Sequence, residues 1–478
     1  MNSNTFKYLL VRAGNGIFAI ATLFCFSRLL STSEYGLYAL VMAVATVISA
    51  VFYQWINAAV GRYYPMYLSD VNKVIDVAER GFWAATAVAV VVFFLLLPFS
   101  KLFDIEPEIL AILFLLSIFM GRHNLALELA NAQGSPLRYG IVSWIKGAGG
   151  LVLGVSLISI GDGVRGALVG TLIGLVFGVI IFHPKLRIKM TLSSEEIKLS
   201  KKMFLFGLPL TLNSLAIVFV DLSDRIIIAT LVGIANVASY AITYDLVQLT
   251  IGSIMSVIFL ANFPLIIKAY ELEGDKSAGN QLYYLGSNLI TVGFPMVVGL
   301  GILSGEIARV FFENDYNKEM AKIMPLLASA IFVAAFKCSF LDIPFQLKKA
   351  TKYQVYIAFF MATVNIILNL LLIPNFGVIG AAWATLASFV VGALTSWIVG
   401  RMLFLLPNMV NEIGRKALAS SVMAVALYFS PLSTGYFCLS IKFLFGIFVY
   451  VMIVLILDLK IRSKLINLIR NKVKSILI

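Results

Sequence analysis

Runs of about twenty apolar residues recur along the whole chain, separated by short polar stretches. A hydrocarbon core of about 30 Å takes roughly 20 helical residues. By that measure the pattern predicts about fourteen membrane-spanning helices, starting near residues 7, 36, 81, 108, 138, 163, 204, 236, 281, 322, 353, 377, 414 and 440. The pair after residue 410 carries the most polar interruptions. The first apolar run follows "MNSNTFK" and has no small-residue cleavage site, so it is expected to be a retained helix and not a signal peptide.

Composition agrees with the pattern. The chain is 60% hydrophobic and 13% charged, against about 25% charged in a soluble domain. It reads as an all-α integral membrane protein and not as a globular domain with an anchor. Its net charge of +13 would suggest nucleic acid in a soluble protein. Here the cations gather in alternate loops, which is topology. With the N-terminus inside, the inner segments hold about 25 Lys and Arg and the outer loops about 5. Both termini are therefore expected in the cytoplasm. The three cysteines, Cys25, Cys338 and Cys438, all fall in apolar segments. They show neither a disulfide framework nor metal-ligand spacing. No phosphate-loop pattern is present, so nucleotide hydrolysis is not expected, and no cofactor is read.

An internal echo organises the chain. "RYGIVSWIKG" begins at Arg138 and "KYQVYIAFFM" at Lys352, and Tyr139 and Tyr353 are 214 residues apart. At that offset Gly163 meets Gly377, Gly166 meets Gly380, Thr171 meets Thr385 and Gly178 meets Gly392. Running backward, Glu128 meets Asp342 and His123 meets Lys337. An even number of spans per unit makes such repeats parallel, and two six-helix lobes facing each other would enclose a cleft. The expected division is residues 1–184, a linker at 185–203, a second lobe at 204–403, two further spans at 404–460 and a basic tail at 461–478.

Three stretches carry a family resemblance. "FGLPLTLNSLAIVFVDLSDRIIIATLVGIANVASYAITYDL" resembles the seventh and eighth spans of polysaccharide flippases. "LNLLLIPNFGVIGAAWATLASFVVGAL" resembles their eleventh-to-twelfth turn, and "SRLLSTSEYGLYALVMA" their first-to-second turn. The family is the polysaccharide transporter branch of the MOP exporters, whose other branches include the MATE and lipid II flippases. The resemblance implies a V-shaped pair of six-helix lobes plus two C-terminal helices in the bacterial inner membrane. It implies a Wzx-type flippase of O-antigen or exopolysaccharide repeat units. The cargo would be undecaprenyl-diphosphate-linked oligosaccharide, moved to the outer leaflet by alternating access. Partners would be that lipid-linked sugar and the surrounding lipids, with a polysaccharide polymerase and chain-length regulator as further candidates. A MATE-type cation antiporter is the alternative reading, although it favours a net-acidic cleft. A polymerase or ligase would need a larger outer domain than the loop "EIARVFFENDYNKEM", read as an amphipathic cap.

Charged residues inside the apolar runs are the candidate chemistry, because each costs about 2.5–3.5 kcal/mol at mid-membrane unless it is paired or faces a cavity. "FVDLSDRII" places Asp221 and Arg225 four apart on one helix face, where they can pair. Asp224 sits beside them, and Asp245 follows on the next span. These residues, with Glu128 and Asp342, are the candidates for ion coupling or gating, with H+ and Na+ both open. The competing reading of the triplet is a structural pair bonding to span one or eight. Arg12, Arg28, Arg122, Lys146 and Lys337 are the candidates for a diphosphate headgroup, with Arg acting as a fork and Lys as a point charge. Inter-helix ion pairs such as Lys337 with Glu128 are the structural alternative. His123 is read as a hydrogen-bonding core residue before a proton relay. Tyr35, Tyr38, Tyr240 and Tyr244 could stack on sugars, but interfacial placement is preferred.

Overall fold

The computed structural model describes residues 3–96, 106–180, 193–312, 314–430 and 435–457. Every regular element among them is helical. The linker cations Lys185, Arg187 and Lys189 and the tail after residue 460 lie outside the described residues, as does the side chain of Arg12. Helix α1 spans Ser3–Leu29, α2 Thr32–Tyr63, α3 Val71–Leu96, α4 Pro107–Ala132, α5 Pro136–Leu157, α6 Gly163–Ile180, α7 Ser194–Leu231 and α8 Ile234–Val247. They are followed by α9 Ser253–Glu273, α10 Asp275–Ile302, α11 Ser304–Phe311, α12 Asn314–Phe336, α13 Ile343–Leu347, α14 Lys352–Leu403, α15 Val410–Tyr428 and α16 Tyr436–Leu457.

Local chemistry sets several boundaries. Ser31 and Ser193 each accept from the backbone N–H three residues on, and Glu34 and Glu196 reach back to complete two capping boxes. Such a box satisfies donors that a helix start otherwise leaves open. Pro107 and Pro136 occupy first-turn positions that need no N–H. Among the described residues, ten helices are long and apolar enough to cross a membrane, where the sequence pattern leads one to expect about fourteen spans. Two of these are each one secondary-structure run with a sharp break: 45 residues over Pro136–Ile180 and 52 over Lys352–Leu403.

Those breaks carry the repeat. Gly163 has φ 49° and ψ −132°, and Gly377 has φ 56° and ψ −137°. Only glycine adopts this region without strain, so the chain turns twice in the same way, at the offset read from sequence. A Cβ on Gly380 would lie 2.4 Å from the Leu372 carbonyl oxygen. Eight residues of straight helix would separate those positions by about 12 Å, so the chain doubles back at Gly377. Gly166 approaches Leu157 and Ile158 in the same manner. "IPNFGVIGAA" is therefore the hairpin the sequence suggests, with Pro374 inside its first arm. The register slips by one in the preceding turn: Gly134, at φ 62°, corresponds to Lys349, at φ 54°.

Contacts along the chain fall into two compact units, Met1–Ile242 with Val355–Ala384, and Thr243–Gln354 with Thr385–Ile478. In the first, Tyr53 stacks on Phe82 at 4.8 Å among Ile56, Val74, Leu125, Leu129, Leu199 and Met203. Buried Leu199 and Met203 show how the start of α7 attaches. Its outward face carries the exposed Lys198, Lys201 and Lys202. Glu195 pairs with Lys73, and Glu196 with Arg80 at 3.2 Å. In the second unit, Ala419, Met423, Leu427, Tyr450 and Val454 join α15 and α16, with Val298 of α10 packed against them. The polar interruptions of these last two helices are internal ties. Lys416 is fully buried and lies 3.7 Å from Glu412, which also accepts from Tyr283 at 2.8 Å and Ser287 at 3.1 Å. Lys442 of α16 pairs with Glu306 of α11 at 2.6 Å. Lys348, between α13 and α14, donates to both oxygens of Asp275. That bond and a further one to Tyr270 hold its ammonium above the ordinary lysine range.

Candidate functional site

The triplet of "FVDLSDRII" is resolved into two separate arrangements within the first unit. Arg225 donates through Nη2 to Asp221 Oδ1 at 3.1 Å, as the i,i+4 spacing requires. Its Nη1 donates to the carbonyl oxygen of Ala39, on α2, at 3.1 Å. Span two therefore receives one arm of this arginine. The reason is the close packing of α2 on the α7–α8 turn, where a Cβ on Gly36 would lie 2.0 Å from the Ile234 carbonyl oxygen.

Asp224 points the other way and is fully buried. Tyr240 of α8 donates its hydroxyl to Asp224 Oδ2, and Asn369 of α14 donates to Oδ1 at 2.5 Å. Asn369 also donates to Asn365 Oδ1 at 3.0 Å, which accepts from Ser223 at 3.0 Å. Three helices thus close a polar network around one carboxyl group. Two of its atoms, Asn365 Nδ2 and Asn369 Oδ1, are buried with no hydrogen-bond partner. Unsatisfied buried amide atoms are costly and mark a place where a further group can be accommodated. Asn365 and Asn369 were not among the sequence candidates. Their signal is the spacing in "VNIILNLL": two amides four apart on one face of an otherwise apolar span. Tyr240 is occupied by Asp224, and Tyr35 is buried in edge-on contact with Tyr38 at 5.8 Å, so neither of these two presents an open ring face.

Asp245 lies on α8 in the second unit and is half-buried. There Lys337 pairs with Asp342 at 2.8 Å and not with Glu128. A five-residue π turn over Lys337–Leu341 brings the two together; such turns widen a helix locally and recur at functional sites. Ser396 donates to Asp342 Oδ1 at 2.8 Å, and Gln354 donates to its backbone carbonyl at 3.3 Å.

The basic candidates of the first unit diverge. Arg122 pairs with Glu79 at 2.8 Å and stacks over Phe82 at 5.3 Å. Sequence reasoning passed over Glu79 because it precedes the expected start of span three; α3 begins ten residues earlier, at Val71, and puts Glu79 inside the helix. Arg28 is exposed in the last turn of α1, where a cation complements the helix dipole. Glu128 is half-buried with its Oε1 against Gly61 of α2. Lys146 is half-buried on α5, and no acid pairs with it among the described residues.

A broken-helix repeat, buried charges on its helices and ten long apolar helices among the described residues define a polytopic membrane protein. The chain matches lipid II flippase MurJ in its inward closed conformation with TM-score 0.71 and 17% identity, over 95% of this chain and 98% of that one. It matches a MOP superfamily transporter from Pyrococcus furiosus with TM-score 0.58 and 15% identity, over 83% and 94%. An inward-facing MATE family transporter gives TM-score 0.58 and 16% identity, over 84% and 94%. At these identities the likeness is one of fold, and the fold is that of the MOP superfamily. No curated protein matches the chain. The family model described as polysaccharide biosynthesis protein matches residues 25–321, well over half of the sequence. The chain belongs to that family.

Proposed function

We propose that the protein is a flippase of the bacterial inner membrane that carries undecaprenyl-diphosphate-linked oligosaccharide to the outer leaflet by alternating access. Membership of the polysaccharide biosynthesis family over residues 25–321 is the observation that carries this reading, because the fold alone would serve a small-molecule exporter equally well. Lys146 of the first unit contacts the diphosphate. The network around Asp224 is the coupling-ion site: a carboxylate and amide oxygens suit a hard cation such as Na+. Fourteen crossings follow when each broken helix counts as two and Gly14–Leu29 and α15 are added to the ten. Both termini are cytoplasmic by the charge of the loops. A polymerase and a chain-length regulator would act on the delivered product.

Energetics suit this direction of transport. A unit charge crossing the membrane field is worth about 2.3 kcal/mol per 100 mV. A dianionic diphosphate moving outward, driven by an inside-negative potential, gains about twice that. The test is reconstitution: in proteoliposomes with a defined potential, lipid-linked oligosaccharide becomes accessible at the opposite leaflet only when protein is present. Export of a cationic drug in place of the lipid would make the chain a MATE-type antiporter.

A further inference from the structure

The first turns of α7 read "SEEIKLSKKMFLFGL". One face of this stretch is spent on the first unit. Leu199 and Met203 are buried in its core. Both acids are neutralised on α3, Glu195 by Lys73 and Glu196 by Arg80. The opposite face is exposed among the described residues. It carries Lys198, Lys201 and Lys202, interleaved with Ile197, Leu205 and Leu208, which are 54%, 60% and 40% exposed. By helical periodicity these six fall within about 140° of the circumference. Arg62, exposed at the end of α2, widens the patch: its guanidinium lies 5.4 Å over the ring of Phe206, one turn beyond Lys202. Depth accounts for the mixture. α7 has 38 residues, a length of about 57 Å against about 30 Å of hydrocarbon. With the apolar run from Met203 filling the hydrocarbon, the lysines stand in the headgroup layer, their stems along the acyl chains. An acidic polypeptide would satisfy the cations and leave the apolar residues between them uncovered. An anionic lipid supplies a phosphate for the cations and a chain for Ile197, Leu205 and Leu208. Because both acids of the stretch are already paired, nothing on it favours the ammonium of a zwitterionic headgroup.

We propose that the first turns of α7 and the end of α2 form a binding site for an anionic glycerophospholipid, which ties the first unit to the leaflet in which its lysines lie. Lys198, Lys201, Lys202 and Arg62 hold the headgroup, and Ile197, Leu205 and Leu208 receive the acyl chain. The leaflet is the inner one by the topology proposed above. The affinity for the lipid does not depend on the flippase reading, because no residue of this site belongs to the Asp224 network or to the cations assigned to the cargo.

The full-length protein in detergent would be titrated with phosphatidylglycerol and with phosphatidylethanolamine of the same acyl chains, and retained lipid counted by native mass spectrometry. Wild type is expected to bind phosphatidylglycerol about tenfold or more tightly than phosphatidylethanolamine, since each cation near an anionic headgroup adds to the attraction. The combined Lys198→Gln, Lys201→Gln and Lys202→Gln protein should lose most of that preference. A matched protein with Lys268→Gln, Lys276→Gln and Lys352→Gln, three exposed lysines of the second unit, has the same net charge and should keep it. Equal loss in the two triple variants would show an effect of overall charge and overturn the site, as would wild type without a preference. Ile197→Ser with Leu205→Ser removes no charge and should still weaken phosphatidylglycerol several-fold. Polyglutamate bound as tightly as the lipid, and unchanged by those two serines, would assign the face to an acidic polypeptide and overturn the lipid site.

Discussion

Lys337 and Asp342 give the sharpest test of what a charge in this membrane protein is for. Both are buried, 2.8 Å apart. At an effective dielectric constant of about 20 their attraction is about 6 kcal/mol, most of it offset by the loss of hydration. Lys337→Met removes the cation and leaves Asp342 with Ser396 and no counter-charge. Breaking a buried pair by one partner costs about 3–5 kcal/mol, and an unpaired ionisable group at mid-membrane about 2.5–3.5 kcal/mol. The two estimates converge near 3 kcal/mol. Asp342→Asn should cost a similar amount by stranding the ammonium. The double variant should cost less than either single one, because no lone charge remains. Thermal unfolding of the detergent-solubilised protein, followed by size exclusion, reads the ordering. If Lys337 serves the pair and not the headgroup, the double variant also retains transport. Additive losses in stability would refute the structural pairing. A stable double variant without transport would return Lys337 to the substrate.

Two further outcomes follow from named residues. Gly163→Ala and Gly377→Ala should each destabilise by about 1–3 kcal/mol, since both force a side chain into the same unfavourable backbone region. Gly279→Ala in α10, with nothing within 4 Å of its added Cβ, should be neutral or stabilising; equal behaviour of all three would deny the twin turns. Asn369→Leu, which strips one donor from Asp224 and removes an orphaned amide oxygen, should abolish any Na+ dependence of transport in a flux assay. Transport with the same Na+ dependence in this variant would remove the network from the coupling step.

Much of the fold was legible because a membrane leaves the chain few options. Every unpaired backbone group in hydrocarbon is costly, so long apolar runs become helices, and the offset of 214 between Gly163 and Gly377 survives as matching dihedral angles. The hairpin at Gly377 was readable for the same local reasons. Partner choice was not. Asp221 with Arg225 is fixed by helical spacing and could be read. Arg122 with Glu79 needed the extra length of α3, and Asp224 with Asn369 joins residues far apart in sequence. The pairing of Lys337 with Asp342 needed a π turn, which has no simple sequence signature. Tyr240 shows the limit most plainly: the same residue suits an interface, a sugar or a carboxylate, and only packing places it on Asp224.

The central claim is tested most directly in proteoliposomes carrying a membrane potential. Undecaprenyl-diphosphate oligosaccharide would be loaded in one leaflet and its exposure at the other followed, with wild type beside Lys146→Met and Asp224→Asn. The account predicts protein-dependent translocation, accelerated by a potential that is negative on the loading side and reduced in both variants. No translocation of this or related lipid-linked sugars, under both potential and ion gradients, would contradict it.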